Sequence, residues 1–235
     1  MDLMLVSGGI MNYRQLLLSF FRKVLPLLLL AGVGWAQQTE MPPRTQDRPL
    51  ADRIRSQERP ERDHYLKPDE VIKALNLKNG EVVADIGAGT GYFTRRFAHA
   101  VAPNGKVYAV DIAADVIDYQ KQRAKQEHLT NIVFIVSQRA DPLLPAASMD
   151  LAFFCDVIHH LENRVGYYKT LIKDIKPHGY MAIIDYPPDS PRRPHPPNQL
   201  VPREEAIAEA EQAGFKFMKE ITILPDYYFL LFVKQ

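Results

Sequence analysis

The chain reads as an α/β protein built on an open, doubly wound and mostly parallel sheet, and three observations point there. Val82 to Ile86 is a β-branched apolar run that ends in a glycine-rich turn, and Tyr92-Phe93-Thr94-Arg95-Arg96-Phe97-Ala98 then reads as a helix. From that point strand-like and helix-like stretches alternate, which implies right-handed crossovers between parallel strands. The last two apolar runs, Phe215 to Ile223 and Tyr227 to Val233, are joined by only Leu224-Pro225-Asp226, so the final strand is expected to run antiparallel to the rest.

The elements follow in order. Pro68 to Leu75 places proline and acids in a first turn and apolar residues three and four apart, which predicts a helix. Lys78-Asn79-Gly80 turns the chain into the first strand. Lys106 to Val110 is a second strand with Asp111 at its tip, Asp115 to Glu127 a helix, and Ile132 to Val136 a third strand. Ser148 to Asp156 carries the fourth strand, Asn163 to Ile175 a helix, Met181 to Asp185 the fifth strand, and Glu204 to Ala213 a helix stopped by Gly214. No internal repeat is visible. Pro187 to Pro197 is rich in proline, hence stiff and extended, and follows the fifth strand directly. In open α/β sheets ligands bind beyond the carboxyl ends of the strands. The segment is therefore either one wall of a substrate pocket or a plain surface loop.

The glycine turn narrows the ligand. Gly87, Gly89 and Gly91 remove the Cβ atoms that would keep a ligand off the backbone, at the start of a helix. A dinucleotide site wants G-x-G-x-x-G, but here Tyr92 stands where the third glycine belongs. The form running from Asp85 through Gly91, D-x-G-x-G-x-G, resembles motif I of the class I S-adenosylmethionine (SAM)-dependent methyltransferases. The fourth strand and Leu171 to Tyr180 resemble that family's fourth strand and the L-K-P-G-G turn before its fifth, with His178 in place of one glycine. The likeness covers about residues 63–235 and is nearest to the ubiquinone/menaquinone-type, type 11/25-like, enzymes. It implies a Rossmann-like sheet of seven strands with one antiparallel strand near the edge, and SAM as cofactor.

The resemblance also assigns residues. Asp85, Gly87, Ala88, Gly89 and Gly91 fall at the methionyl end of SAM, Asp111 at the ribose hydroxyls and Ile112 at the adenine. Asp141, in the run after the third strand, is the best partner for the adenine amino group. Tyr65 either closes over the sulfonium by cation–π attraction or packs as a staple on the helix that follows. Asp156, His159 and His160 follow the fourth strand, beside the methyl to be transferred, and histidine has the right pKa for a general base. Asp185 and Tyr186 are similar candidates. Cys155 reads as a buried strand-end thiol. Asp156, His159, His160, Asp185 and His195 are all metal-ligand types, but their spacing matches no strong motif, and no metal is expected.

Composition limits partners. Lys+Arg 29 against Asp+Glu 28 leaves no basic excess for a nucleic acid, so a small-molecule acceptor is expected. A single cysteine excludes an intramolecular disulfide. Arg14, Arg22 and Lys23 precede the apolar run Val24 to Val33, and Gly34-Trp35-Ala36 offers a small-x-small cleavage site. Residues 1–36 therefore read as a signal peptide for a periplasmic or secreted protein, with an uncleaved anchor as the alternative and no stable membrane span. Residues 37–62 read as an exposed polar linker with one frayed helical turn, and residues 63–235 as the domain. Export separates an enzyme from cytoplasmic SAM, so a non-catalytic SAM-fold binding module of the cell envelope is the second reading.

Overall fold

In the computed structural model, which describes residues 48–235, seven strands form one sheet in the order β3-β2-β1-β4-β5-β7-β6. They are β1 (Val82–Ile86), β2 (Lys106–Asp111), β3 (Ile132–Val136), β4 (Met149–Cys155), β5 (Ile175–Asp185), β6 (Phe215–Glu220) and β7 (Tyr228–Lys234). β1 to β5 pair in parallel, and β7 is antiparallel to both β5 and β6. The expected hairpin and its antiparallel strand are there, one place in from the edge. Chain order reverses between β1 and β4, the place where such sheets bind ligands at their carboxyl ends.

Seven helices of the described residues surround the sheet: α1 (Leu50–Gln57), α2 (Glu61–Leu66), α3 (Pro68–Leu75), α4 (Tyr92–Ala100), α5 (Ala114–Gln126), α6 (Arg164–Leu171) and α7 (Arg203–Gln212). Helix starts follow their local chemistry. Pro68 opens α3, and the Asn163 side chain caps α6 by accepting from the Gly166 N–H at 2.9 Å. Alternate residues of each strand feed opposite faces. Ala84, Ala152, Phe154 and Ile183 pack with Tyr168 and Leu171 of α6 and Ala206 and Ala210 of α7. Val83, Leu151, Phe153 and Ile184 pack with Val71 of α3 and Phe93 and Phe97 of α4. Phe153 meets both Phe93 and Phe97 edge-on at 4.9 Å, geometry worth about 0.5–1.5 kcal/mol per pair beyond the burial itself.

Three expectations change. Residues 48–62 are not an exposed linker: α1 and the start of α2 lie here, and Arg53 is only 4% exposed. Hydrophobic periodicity is blind to this segment because polar groups dock it. Arg53 pairs with Asp115, Arg95 binds Glu58 at 2.7 Å, and Arg62 donates to the Gln57 carbonyl at 2.7 Å. Second, β5 begins at Ile175 rather than Met181, taking in the expected turn, and its register against β4 shifts between Met149 and Leu151. His178 sits in that irregular stretch at φ 63, the left-handed conformation that glycine holds most easily. Third, Tyr65 lies within α2 rather than ahead of the first helix. The expected signal peptide falls on residues outside those described. Among the described residues no helix is long and apolar enough to cross a membrane.

Candidate active site

The glycine turn lies at the carboxyl end of β1. Gly89 takes φ 55, and a Cβ built there would stand 2.5 Å from Gln57 Oε1, so only glycine fits without displacing that side chain. The loop is held from three sides. The Gly89 N–H donates to Asp111 Oδ2 at 2.9 Å, the Thr90 N–H donates to Gln57 Oε1 at 2.9 Å, and Gln120 Nε2 donates to the Gly89 carbonyl at 2.7 Å. Thr90 Oγ1 and Gln120 Oε1 are buried without a hydrogen-bond partner in the protein.

Asp111 also accepts from the Ala113 N–H at 2.9 Å, so each of its oxygens already holds one backbone donor and keeps a second lone pair for a ribose hydroxyl. Burial raises its pKa, opposed by those two backbone hydrogen bonds. Beside it opens a cleft of about 390 Å³ lined by Ile112, Ala113, Asp115, Ser137 and Arg139. Ile112 is 36% exposed there, an apolar platform of the kind a purine covers. Asp141 is not among the lining residues: its Oδ1 accepts from the Leu143 N–H at 2.8 Å and so shapes its own turn. Ser137 and Arg139, from the same run after β3, line the cleft.

Asp85, next to last in β1, is 3% exposed and accepts from the Thr94 hydroxyl at 2.6 Å. Burial pushes its pKa up to about 7, against the Thr94 hydrogen bond and with help from the Asp111 charge. Ala88 is buried and ties the loop to β2 through its N–H on the Val110 carbonyl at 3.0 Å. Sequence reasoning missed Arg53, Gln57, Arg62 and Gln120. The Arg62 guanidinium lies 4.4 Å from the Tyr92 ring centroid, and its charge favours the ionised forms of Asp85 and Asp156.

The end of β4 lies against the same loop, since a Cβ on Gly87 would meet the Val157 side chain at 2.5 Å. Asp156 precedes Val157 at φ 63, and the short 3-10 turn Ile158–His160 follows. The His159 side chain is 2% exposed, and its Nδ1 lies 2.8 Å from Asp185 Oδ1 at the tip of β5. Burial works against charging His159, but the charge and hydrogen bond of Asp185, with Asp156 adding, raise its pKa overall. Its Nε2 is buried and unpartnered, 4.0 Å from Asp156 Oδ1, itself buried and unpartnered. The His160 and His195 rings pack at 4.1 and 5.0 Å from the His159 ring. Burial lowers the pKa of His195, and neighbouring His159 adds to that. With Nδ1 held by Asp185, Nε2 is the His159 nitrogen left to take a proton or another partner. His160 is exposed at the rim.

Aromatic side chains form the next wall. Tyr65 stacks on Tyr227 at 6.5 Å, and the Tyr227 hydroxyl donates to the Tyr186 hydroxyl at 2.5 Å. Tyr65 also packs against the buried cluster that includes Val71 of α3. The proline-rich segment after β5 is fastened to the β6–β7 link, Arg192 Nε donating to Asp226 Oδ2 at 2.6 Å and Ser190 Oγ to the Asp226 carbonyl at 2.8 Å. Cys155 is a free thiol whose pKa burial drives well up, which makes it a poor nucleophile.

Comparison with known proteins places this geometry. Residues 77–219 match the family described as a methyltransferase domain. The demethylmenaquinone methyltransferase of Geobacillus sp. (strain WCH70) is 23% identical over 124 residues, 53% of each chain. The chain thus spans about half the length of the curated relatives it matches. A SAM-dependent methyltransferase from Aquifex aeolicus superimposes with a TM-score of 0.75 at 24% identity, covering 80% of this chain and all of its own. A Haemonchus contortus phosphoethanolamine N-methyltransferase in complex with SAM has a TM-score of 0.59 at 16% identity, covering 72% of this chain and 52% of its own. At those identities the structural likeness is one of fold.

Proposed function

The chain belongs to the methyltransferase domain family, of the class I kind that uses SAM, and from that premise we propose that it methylates a small-molecule acceptor seated beyond the carboxyl ends of β4 and β5. One observation carries the reading: Val157 packs directly on Gly87, which sets Asp156 and the Asp185-held His159 next to the glycine loop. The cofactor supplies the reactive methyl group on a sulfonium. The protein's part is to hold the acceptor atom in line with it and about 3 Å away.

Asp85 and Arg62 fit the charged methionyl end of SAM where it crosses the glycine loop, Asp111 the ribose, and Ile112 with Ser137 the adenine. Asp156, His159 and His160 form the polar face toward the acceptor, with Tyr186 and the Pro187 to Pro197 segment as its wall. The near balance of charge, 29 basic against 28 acidic residues, supports a small acceptor over a nucleic acid.

The test is incubation with methyl-tritiated SAM and a panel of small acceptors bearing hydroxyl, amine, thiol or activated carbon nucleophiles. Acceptor-dependent formation of labelled product is expected. Tight SAM binding with no transfer across the panel would sink this reading in favour of a non-catalytic SAM-binding module.

A further inference from the structure

We propose that His159, His160, His195 and Asp156 bind one divalent transition-metal ion of the Zn²⁺ class beside the cofactor loop. The donor atoms of His159, His160 and His195 all lie within 4.8 Å of one another, and His159 and Asp156 belong to a second such grouping with Asp185. The His159 side chain is 2% exposed, yet its Nε2 has no partner, and neither has Asp156 Oδ1, 4.0 Å away. That separation is too long for a hydrogen bond. Two ligand atoms each about 2.0–2.2 Å from one tetrahedral ion stand about 3.3–3.6 Å apart, so the pair shares an ion once the 4.0 Å gap closes by about half an ångström.

The surroundings complete the argument. Asp185, 1% exposed, lies 2.8 Å from His159 Nδ1 and accepts from the Ile158 and Tyr186 N–H groups at 3.0 and 2.8 Å. A carboxylate behind a histidine fixes its ring and leaves Nε2 as the metal-binding nitrogen. Imidazole and carboxylate donors suit Zn²⁺ and its neighbours. Sequence spacing gave no sign of the site because the donors come from the β4 turn and from the distant loop that carries His195. An ion here lies beside the loop assigned to SAM, so an acceptor with an oxygen or nitrogen donor can reach both. That role rests on the methyl-transfer reading, whereas metal binding itself does not.

The experiment uses untagged full-length protein, stripped with a chelator, dialysed, and titrated with Co²⁺ followed by visible absorption and with Zn²⁺ followed by calorimetry. SAM affinity is measured on the same material. One ion per chain is expected, with Co²⁺ showing the intense visible bands of low coordination number. His195→Ala, a change in an exterior loop, should weaken binding at least about 100-fold, and Asp185→Asn about 10–100-fold, the usual effect of an outer partner. No stoichiometric uptake by protein that still binds SAM would overturn the metal site, leaving a water molecule to bridge His159 and Asp156, and would leave the cofactor reading standing. Uptake unchanged in both variants would overturn it as well.

Discussion

We propose two tasks for Asp111: its oxygens hold the Gly89 and Ala113 N–H groups, and their remaining lone pairs accept from the ribose. Asp111→Ala should therefore weaken SAM binding by at least about 1.5–3 kcal/mol, the usual value of a hydrogen bond to a charged group, as read by calorimetry. Equal affinity in that variant would remove Asp111 from the site. Gly89→Val puts a branched side chain into a left-handed position already bounded by Gln57. It should abolish SAM binding while thermal unfolding stays cooperative, because the core lies elsewhere. Asp85 gives a pH signature. Its folded pKa stands at about 7 against an ordinary 3.8, so the folded protein holds that proton more tightly than the unfolded chain. This contribution to stability is complete below the ordinary value and is lost as pH rises toward about 7, with a slope of up to about 1.4 kcal/mol per pH unit. Urea midpoints taken between pH 4 and 8 should show a flatter dependence in Asp85→Asn than in the parent protein.

At the scale of elements, α1 is the surprise. Its docking is polar, through the Arg53–Asp115 pair and through Gln57 on the Thr90 N–H, and both contacts bear on the cofactor site. A variant starting at Glu58 should keep the sheet, because β1 begins only at Val82. Its SAM affinity should fall about tenfold or more, the loss of about 1.4 kcal/mol that one or two such contacts supply. Unchanged affinity would make α1 a passenger. The other elements were legible where apolar periodicity or a start signal set them: α3 spans Pro68–Leu75 and β3 Ile132–Val136, as their sequences predict. β5 was read short because Lys176-Pro177-His178-Gly179 looks like a turn, and only pairing with β4 draws its first residue into the sheet.

For the whole molecule, strand order decides where chemistry happens. β1 and β4 lie side by side although β2 and β3 come between them in sequence, and this brings Gly87 against Val157. We propose that residues 1–36 are removed on export. Protein secreted by a bacterial host should then begin at or near Gln37 by intact mass, and protein lacking residues 1–36 should remain folded and soluble. Membrane-bound material that still includes Met11 to Ala36 would show an anchor instead.

By itself the sequence determined the fold class, the glycine loop and its acid at the tip of β2, because each rests on a local pattern: period-2 or buried apolar runs, glycine at fixed spacing, an acid ending a strand. It also named Asp156, His159 and His160. What it could not settle was their grouping. Asp185 behind His159, His195 beside it, and Gln57 over Gly89 are all long-range contacts between polar side chains, which leave no periodic trace in the chain. Tertiary structure alone decided that Asp141 turns back on its own loop, that Arg53 is buried, and that two orphaned atoms on His159 and Asp156 face each other across 4.0 Å. Burial and direction are properties of the folded surroundings, and a residue's type fixes neither.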